Sequence, residues 1–182
     1  MKTMIVTLFT FAIFASPSAE KIQSYKSVFF DLKSIDSQKV PDPISDNPIN
    51  TELLIAKNSA GKIIGFIREV TTSTGCNSEC LPVIFTLYYN SAKTLVKLKS
   101  TPGLTKKYHA RFTDKDYQKL DLILALNPVV FKKVVHPTEM VDAISGATKK
   151  EFVNDVVKNA AYTSLRVNLY NQQTLDELKK LF

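Results

Sequence analysis

Glu52-Leu53-Leu54-Ile55-Ala56-Lys57-Asn58-Ser59-Ala60-Gly61-Lys62-Ile63-Ile64-Gly65-Phe66-Ile67-Arg68-Glu69-Val70-Thr71 is the stretch that decides the fold. Two apolar runs, Glu52 to Ala56 and Lys62 to Thr71, flank the small polar tetrapeptide Asn58-Ser59-Ala60-Gly61, a pattern of strand, turn and strand. It predicts a β-hairpin. A second unit of the same kind follows, because Pro82 to Tyr89 and Thr94 to Lys99 are rich in β-branched and aromatic residues and are separated by Asn90-Ser91-Ala92-Lys93. Four antiparallel strands are expected.

Working outward, the second half of the chain reads as helical. Thr113 and Asp114 can cap a helix in which Tyr117, Leu120, Ile123 and Leu124 recur at helical spacing, and Asn127-Pro128 should stop it. A longer helix from about Lys149 to Leu165 places Phe152, Val153, Val156, Val157, Ala160, Ala161 and Leu165 on one broad face that would pack on the sheet. A last helix from about Thr174 presents Leu175, Leu178 and Leu181, with Lys179 and Lys180 suited to its C-terminal end. The expected class is α+β, an antiparallel sheet of two hairpins packed by C-terminal helices.

Upstream of the hairpins, Lys2 precedes an apolar run from Met4 to Ala15, and the small residues Ser16, Ser18 and Ala19 follow at once. This is the layout of a secretory signal peptide, and the run is shorter than the about 20 residues a membrane-spanning helix needs. Residues 1–19 are therefore expected to be removed, with cleavage after Ser18 or Ala19, and the mature protein to be periplasmic or extracellular. Residues 20–50 combine Val28, Phe29 and Phe30 with Pro41, Pro43 and Pro48 and read as an extended lead-in with loops. One domain over residues 51–182 remains.

The chain carries 24 Lys+Arg against 17 Asp+Glu, a formal net charge of +7. Such a balance suits acidic partners or anionic lipid surfaces, but solvated surface charge is the simpler explanation. The lysines are scattered and no basic stretch is interleaved with aromatics, so nucleic acid is not expected as a partner. No Gly-x-Ser-x-Gly elbow, Walker lysine or dinucleotide fingerprint occurs, which leaves independent catalysis without a basis in the sequence.

Chemistry concentrates in Asp142-Ala143-Ile144-Ser145-Gly146-Ala147-Thr148, where a small-residue turn leads directly into the expected long helix. Two readings share that geometry. Thr148-Lys149-Lys150-Glu151 matches a capping box, in which Thr148 and Glu151 satisfy each other's free amides. The same helix start, with Gly146 free to turn, also suits a phosphate held over backbone N–H groups.

Asp142 to Thr148 also resembles, residue for residue, the Asp-x-x-Ser-Gly-Ala-Thr signature of the FMN-binding domain family. That family includes the flavin-bearing subunits of sodium-pumping NADH:quinone reductases and of Rnf electron-transfer complexes. The resemblance implies that Thr148 receives FMN as a phosphoester from an FMN:protein flavin transferase. It makes Asp142 the acidic recognition residue for that enzyme, with Ser145, Gly146 and Ala147 in the cofactor-binding turn. Upstream, Thr101-Pro102-Gly103-Leu104 resembles the family's Glu-Thr-Pro-Gly-Leu-Gly stretch, which adds Thr101, Gly103 and Leu104 to the implied cofactor site. The sequence departs from the pattern at Ser100, Thr105 and Lys149-Lys150. Residues 51–182 would then be an FMN-binding-like domain of a divergent, free-standing member. Its expected role is that of an electron carrier or redox subunit between an unidentified donor and acceptor, with peripheral contact to a membrane redox complex.

Cys76 and Cys80, the only cysteines, sit in the segment linking the two hairpins. In an exported protein they are expected to form a disulfide, which at so short a loop would contribute about 2 kcal/mol of stability. A redox-active pair is the alternative, which Glu79 between the thiols disfavours by opposing a low thiol pKa. His109 and His136 stand too far apart in sequence for a zinc-finger framework, so no metal is expected. Three functions are thus in play: a covalent flavoprotein, a thiol:disulfide redox protein using Cys76 and Cys80, and a flavin-free binding module of the same fold.

Overall fold

A computed structural model of the protein describes residues 17–44, 50–72, 83–100, 115, 118 and 155–182. The order of elements is α1 (Ala19–Lys26), β1 (Ser34–Pro41), β2 (Asn50–Lys57), β3 (Ile63–Thr72), β4 (Val83–Asn90), β5 (Leu95–Ser100) and α2 (Asp155–Leu181). The strands form one antiparallel sheet in the order β1-β2-β3-β4-β5, with α1 packed on one face and α2 on the other. The class is α+β.

Both expected turns form, and they form alike. Asn58 accepts Gly61 N–H on its carbonyl at 3.0 Å, while its side-chain Oδ1 accepts Ala60 N–H at 3.1 Å and Lys62 N–H at 3.0 Å. Asn90 repeats the device, with Lys93 N–H on its carbonyl at 2.9 Å and Thr94 N–H on Oδ1 at 3.0 Å. An asparagine side chain that mimics a backbone turn in this way stabilises the bend. The last turn residue is left-handed in both, φ +73 at Gly61 and φ 64 at Lys93.

Strand alternation sorts the core into two layers. Val40, Leu53, Ile55, Phe66, Val70, Phe85, Leu87, Tyr89 and Leu98 line one face, against Val167, Tyr170 and Leu178 of α2. Leu54, Ala56, Ile67 and Tyr88 line the other, against Tyr25, Phe29 and Leu32. Burying each large apolar side chain contributes ~1.5–3 kcal/mol, so the sheet is stabilised from both sides.

The two expected hairpins, β2–β3 and β4–β5, form within one sheet, joined because β3 pairs with β4 from Gly65↔Asn90 to Thr72↔Val83. Two other expectations need correction. Residues 20–50 are not an extended lead-in. Ser18 caps α1, its Oγ accepting Lys21 N–H at 3.4 Å, and β1 adds a fifth strand paired from Ser34↔Lys57 to Pro41↔Asn50. Pro41 is tolerated because it ends an edge strand, where a missing N–H is harmless. The bond after Ser18, one of the expected cleavage points, is where α1 begins.

Finally, no break separates a helix ending near Leu165 from one starting near Thr174. Asp155–Leu181 is continuous. Val167, Tyr170, Asn171, Thr174 and Leu178 recur at helical spacing and are all buried. The polar members of that stripe are satisfied in place: Asn171 Oδ1 accepts Tyr89 O–H at 2.8 Å, and Thr174 Oγ1 donates to the Tyr170 carbonyl at 2.7 Å. Of the helix expected after Asp114, only Lys115 and Gln118 are described, and both are helical.

Candidate functional site

The register gives the sheet two unlike ends. At one, Pro41↔Asn50, Thr72↔Val83 and Phe85↔Ser100 bring together the residues that flank 45–49, 73–82 and 101–154. The return point of the last segment lies on the same side. Arg166 Nε donates to the Thr71 carbonyl at 2.8 Å, whereas the Phe182 ring lies tilted beside that of Phe66 toward the opposite end, so α2 starts beyond Thr71. At 1.5 Å per residue its first turn is roughly 16 Å up the axis from Arg166.

Beneath α2 at this end lies a cluster built on Arg68. The side chain has 0% exposure and stands between Phe66 and Val70 on the inward parity of β3. Its Nη2 donates to Thr51 Oγ1 at 2.5 Å, Gln173 Oε1 at 3.2 Å and the Pro41 carbonyl at 3.4 Å. Nε and Nη1 have no hydrogen-bond partner among the described residues. Burial pulls the guanidinium pKa down, against smaller opposing effects led by Tyr170. A buried cation so incompletely paired is electrostatically short of negative charge.

Tyr170 links this cation to a second one. The guanidinium carbons of Arg68 and Arg166 stand 5.1 Å and 5.3 Å from its ring centroid, within cation–π range. Its hydroxyl donates to Asp42 Oδ2 at 2.6 Å, and Asp42 Oδ1 accepts Ile44 N–H at 2.8 Å. Burial first, and then the hydrogen bond to Asp42, push the Tyr170 phenol up to about 12. Asp42 and Glu177 both act on Arg68, so the two guanidinium groups are only partly offset by carboxylates that lie in other pairs. A cluster led by two guanidinium groups favours an anionic group over a metal.

The opposite face carries the reverse sign. Glu69 accepts Lys21 Nζ at 2.6 Å and Tyr25 O–H at 2.7 Å, tying α1 to β3. Beside it lies an open hollow of about 230 Å³ lined by Glu52, Leu54, Glu69 and Thr71. Two carboxylates there suit a cation and would repel a phosphate. No group of three or more metal-ligating side chains occurs among the described residues.

The residues singled out in the sequence all lie outside the described residues: Thr101, Gly103 and Leu104, Asp142, Ser145, Gly146, Ala147 and Thr148, the pair Cys76 and Cys80, and His109 and His136. What the structure describes is where their segments leave the sheet. Cys76 and Cys80 fall between Thr72 and Val83, and Thr101 to Thr148 fall between Ser100 and Asp155, all four flanking residues belonging to the Arg68 end.

Comparison adds no relative. No protein-family model, no curated protein and no solved structure matches the chain. No described helix is long and apolar enough to cross a membrane.

Arg68, Arg166, Tyr170 and Asp42 went unnoticed in the sequence, although one signal was there. In Phe66-Ile67-Arg68-Glu69-Val70 the arginine occupies an inward position of an alternating strand, and a charge of inward parity reads as a buried charge. Its partners on α2, more than ninety residues on, have no comparable local signal.

Proposed function

We propose that the protein is an exported electron-transfer flavoprotein that carries FMN as a phosphoester on Thr148, attached by an FMN:protein flavin transferase. The observation that carries this reading is the seven-residue run Asp142 to Thr148, which agrees at every fixed position with a signature for flavin attachment. Two features of the fold support it. Ser100 and Asp155, which bracket both flavin-like motifs, belong to one end of the molecule, and the side chains clustered there have the sign an esterified phosphate requires.

In this reading FMN supplies the electron chemistry, and the chain supplies position and field. Ser145, Gly146 and Ala147 form the turn before the attachment residue, and Thr101, Gly103 and Leu104 contribute the second segment. Arg68 and Arg166 raise the local potential for anionic groups, while Tyr170 and Asp42 hold both guanidinium groups in place. The donor and acceptor are redox partners met outside the cytoplasm, in peripheral contact with a membrane complex.

The test is the mass of the natively exported protein. The chain should carry FMN after denaturation, on a peptide containing Thr148, and Thr148→Ala should lose that mass while remaining folded. Losing a helix cap costs only about 1 kcal/mol. FMN on a peptide lacking Thr148 defeats the assignment. A flavin-free chain from a host with an active transferase favours the dithiol of Cys76 and Cys80, or a binding module without flavin.

A further inference from the structure

The end of the sheet opposite Arg68 has its own chemistry. There the β2–β3 and β4–β5 turns lie side by side, since Gly65 pairs with Asn90. Lys33 joins them through its N–H, which donates to the Lys57 carbonyl at 2.8 Å. The C-terminal end of α2 arrives at the same place, with the Phe182 ring 5.0 Å from that of Phe66.

The large hydrophobic side chains exposed among the described residues are Phe30 (85%), Val96 (48%), Phe182 (47%) and Leu181 (42%), and all four belong to this end. Phe30 follows Phe29, whose ring lies over Gly65. Val96 adjoins the Tyr89↔Leu95 pair beside the second turn, and Leu181 and Phe182 close α2. Polar side chains would be the default at such turns and helix ends, and a cluster of exposed apolar groups marks an interaction surface.

The charges around them are mostly positive. Lys33, Lys57, Lys62, Lys93, Lys179 and Lys180 surround these groups, facing Asp31, Asp36, Asp176 and Glu177. Three carboxylates are engaged in the pairs Lys57–Asp36, Lys179–Asp176 and Lys180–Glu177. Lys33, Lys62 and Lys93 have no carboxylate side chain as a partner among the described residues, and of the described acidic side chains at this end Asp31 is the one outside a salt bridge.

We propose that this end is a membrane-docking surface, on which Phe30, Leu181 and Phe182 enter the headgroup region of an anionic bilayer while Lys33, Lys62 and Lys93 pair with its lipid phosphates. Apolar side chains gathered at one end but carried on separate elements, with lysines between them, suit a fluid planar surface better than a shaped protein partner. Docking this way points the Arg68 end away from the bilayer, toward soluble partners. The proposal does not depend on flavin: it stands or falls on described residues at the end of the sheet opposite Ser100.

Co-sedimentation of the full chain, as its host produces it, with vesicles tests the proposal. Binding is expected to vesicles of phosphatidylcholine containing phosphatidylglycerol, to weaken with added salt, and to be slight on phosphatidylcholine alone. Replacing Lys33, Lys62 and Lys93 with alanine should lower the partition constant about a hundredfold. Replacing Phe30, Leu181 and Phe182 with serine should also lower it about a hundredfold. Melting curves of the two triple variants establish that they are folded, and the lysine variant keeps the apolar packing of Phe182 intact. All variants share one N-terminus, so any binding through Met4 to Ala15 is common to the series. Equal partition of the parent and both variants overturns the proposal, as does retention by an acidic protein with no vesicle binding.

Discussion

The ring of Phe29 occupies the space that a side chain at Gly65 would need. A Cβ built on Gly65 would stand 2.5 Å from both the Phe29 Cε1 and the Tyr89 carbonyl oxygen. The phenyl ring can shift, but the β4 backbone cannot without breaking its pairing with β3. Gly65→Ala should therefore destabilise the fold by about 1–3 kcal/mol, the usual cost of overpacking. Urea denaturation measures it. In a Phe29→Ala background the penalty should shrink but persist through Tyr89, and an unchanged parent stability would refute the packing argument.

The two turns make a matched pair that differs at one position. Lys93 holds φ 64 where Gly61 holds φ +73, and a left-handed conformation disfavours any residue with a Cβ. Lys93→Gly should stabilise the protein by about 0.5–1 kcal/mol, partly offset by the extra freedom of glycine in the unfolded chain. Gly61→Ala should destabilise it by a similar amount, although nothing lies within 4 Å of the added methyl. Thermal melts of the two variants should move in opposite directions.

Alkaline pH should unfold the protein through its buried phenols. Burial raises the pKa of Tyr25, Tyr88 and Tyr89, and pushes Tyr170 up from 10.0 to about 12. A raised folded pKa means that the folded state keeps a proton the unfolded state gives up. Its contribution is complete below pH 10 and disappears as the pH rises through about 12. The urea midpoint should fall across that window. Tyr170→Phe should cost about 2 kcal/mol at neutral pH by removing the bond to Asp42, yet show a shallower alkaline decline. Parallel declines in the two proteins would remove Tyr170 from the account.

Replacing Cys76 and Cys80 with serine tests the dithiol. If the pair is a structural disulfide, the double variant should lose about 2 kcal/mol of stability, read as a lower melting temperature. Flavin reduction should be unchanged. A folded, flavin-loaded double variant that no longer passes electrons would transfer the chemistry to the thiols.

The parts of the fold that were legible in the sequence are those whose signal is local. Asn58 to Gly61 and Asn90 to Lys93 announce their turns, and the apolar runs beside them announce β2 to β5. β1 was missed because Ser34-Ile35-Asp36-Ser37-Gln38-Lys39-Val40-Pro41 is largely polar and becomes a strand by pairing with β2, a contact no local window contains. The continuity of α2 was missed because Asn168, Asn171 and Thr174 look like surface residues, whereas all three are buried. Arg68 was legible by parity alone, and its partners Tyr170 and Gln173 were not. For the flavin motif the local signal is the whole of the argument, since Asp142 to Thr148 falls outside the described residues.

Because every strand pairs with the strand that immediately precedes it, the sheet can assemble in the order in which the chain is made. Neighbouring strands need only short loops to close, which is the fast regime of folding. Docking of α2 is different in kind: the Tyr89–Asn171 and Arg68–Gln173 bonds span 82 and 105 residues. For a chain delivered N-terminus first, α1 and all five strands are complete before α2 exists. Phe66, Val70, Phe85 and Leu87 then face solvent as a bare apolar surface, and the charged Arg68 among them is well placed to discourage that surface from meeting another copy of itself.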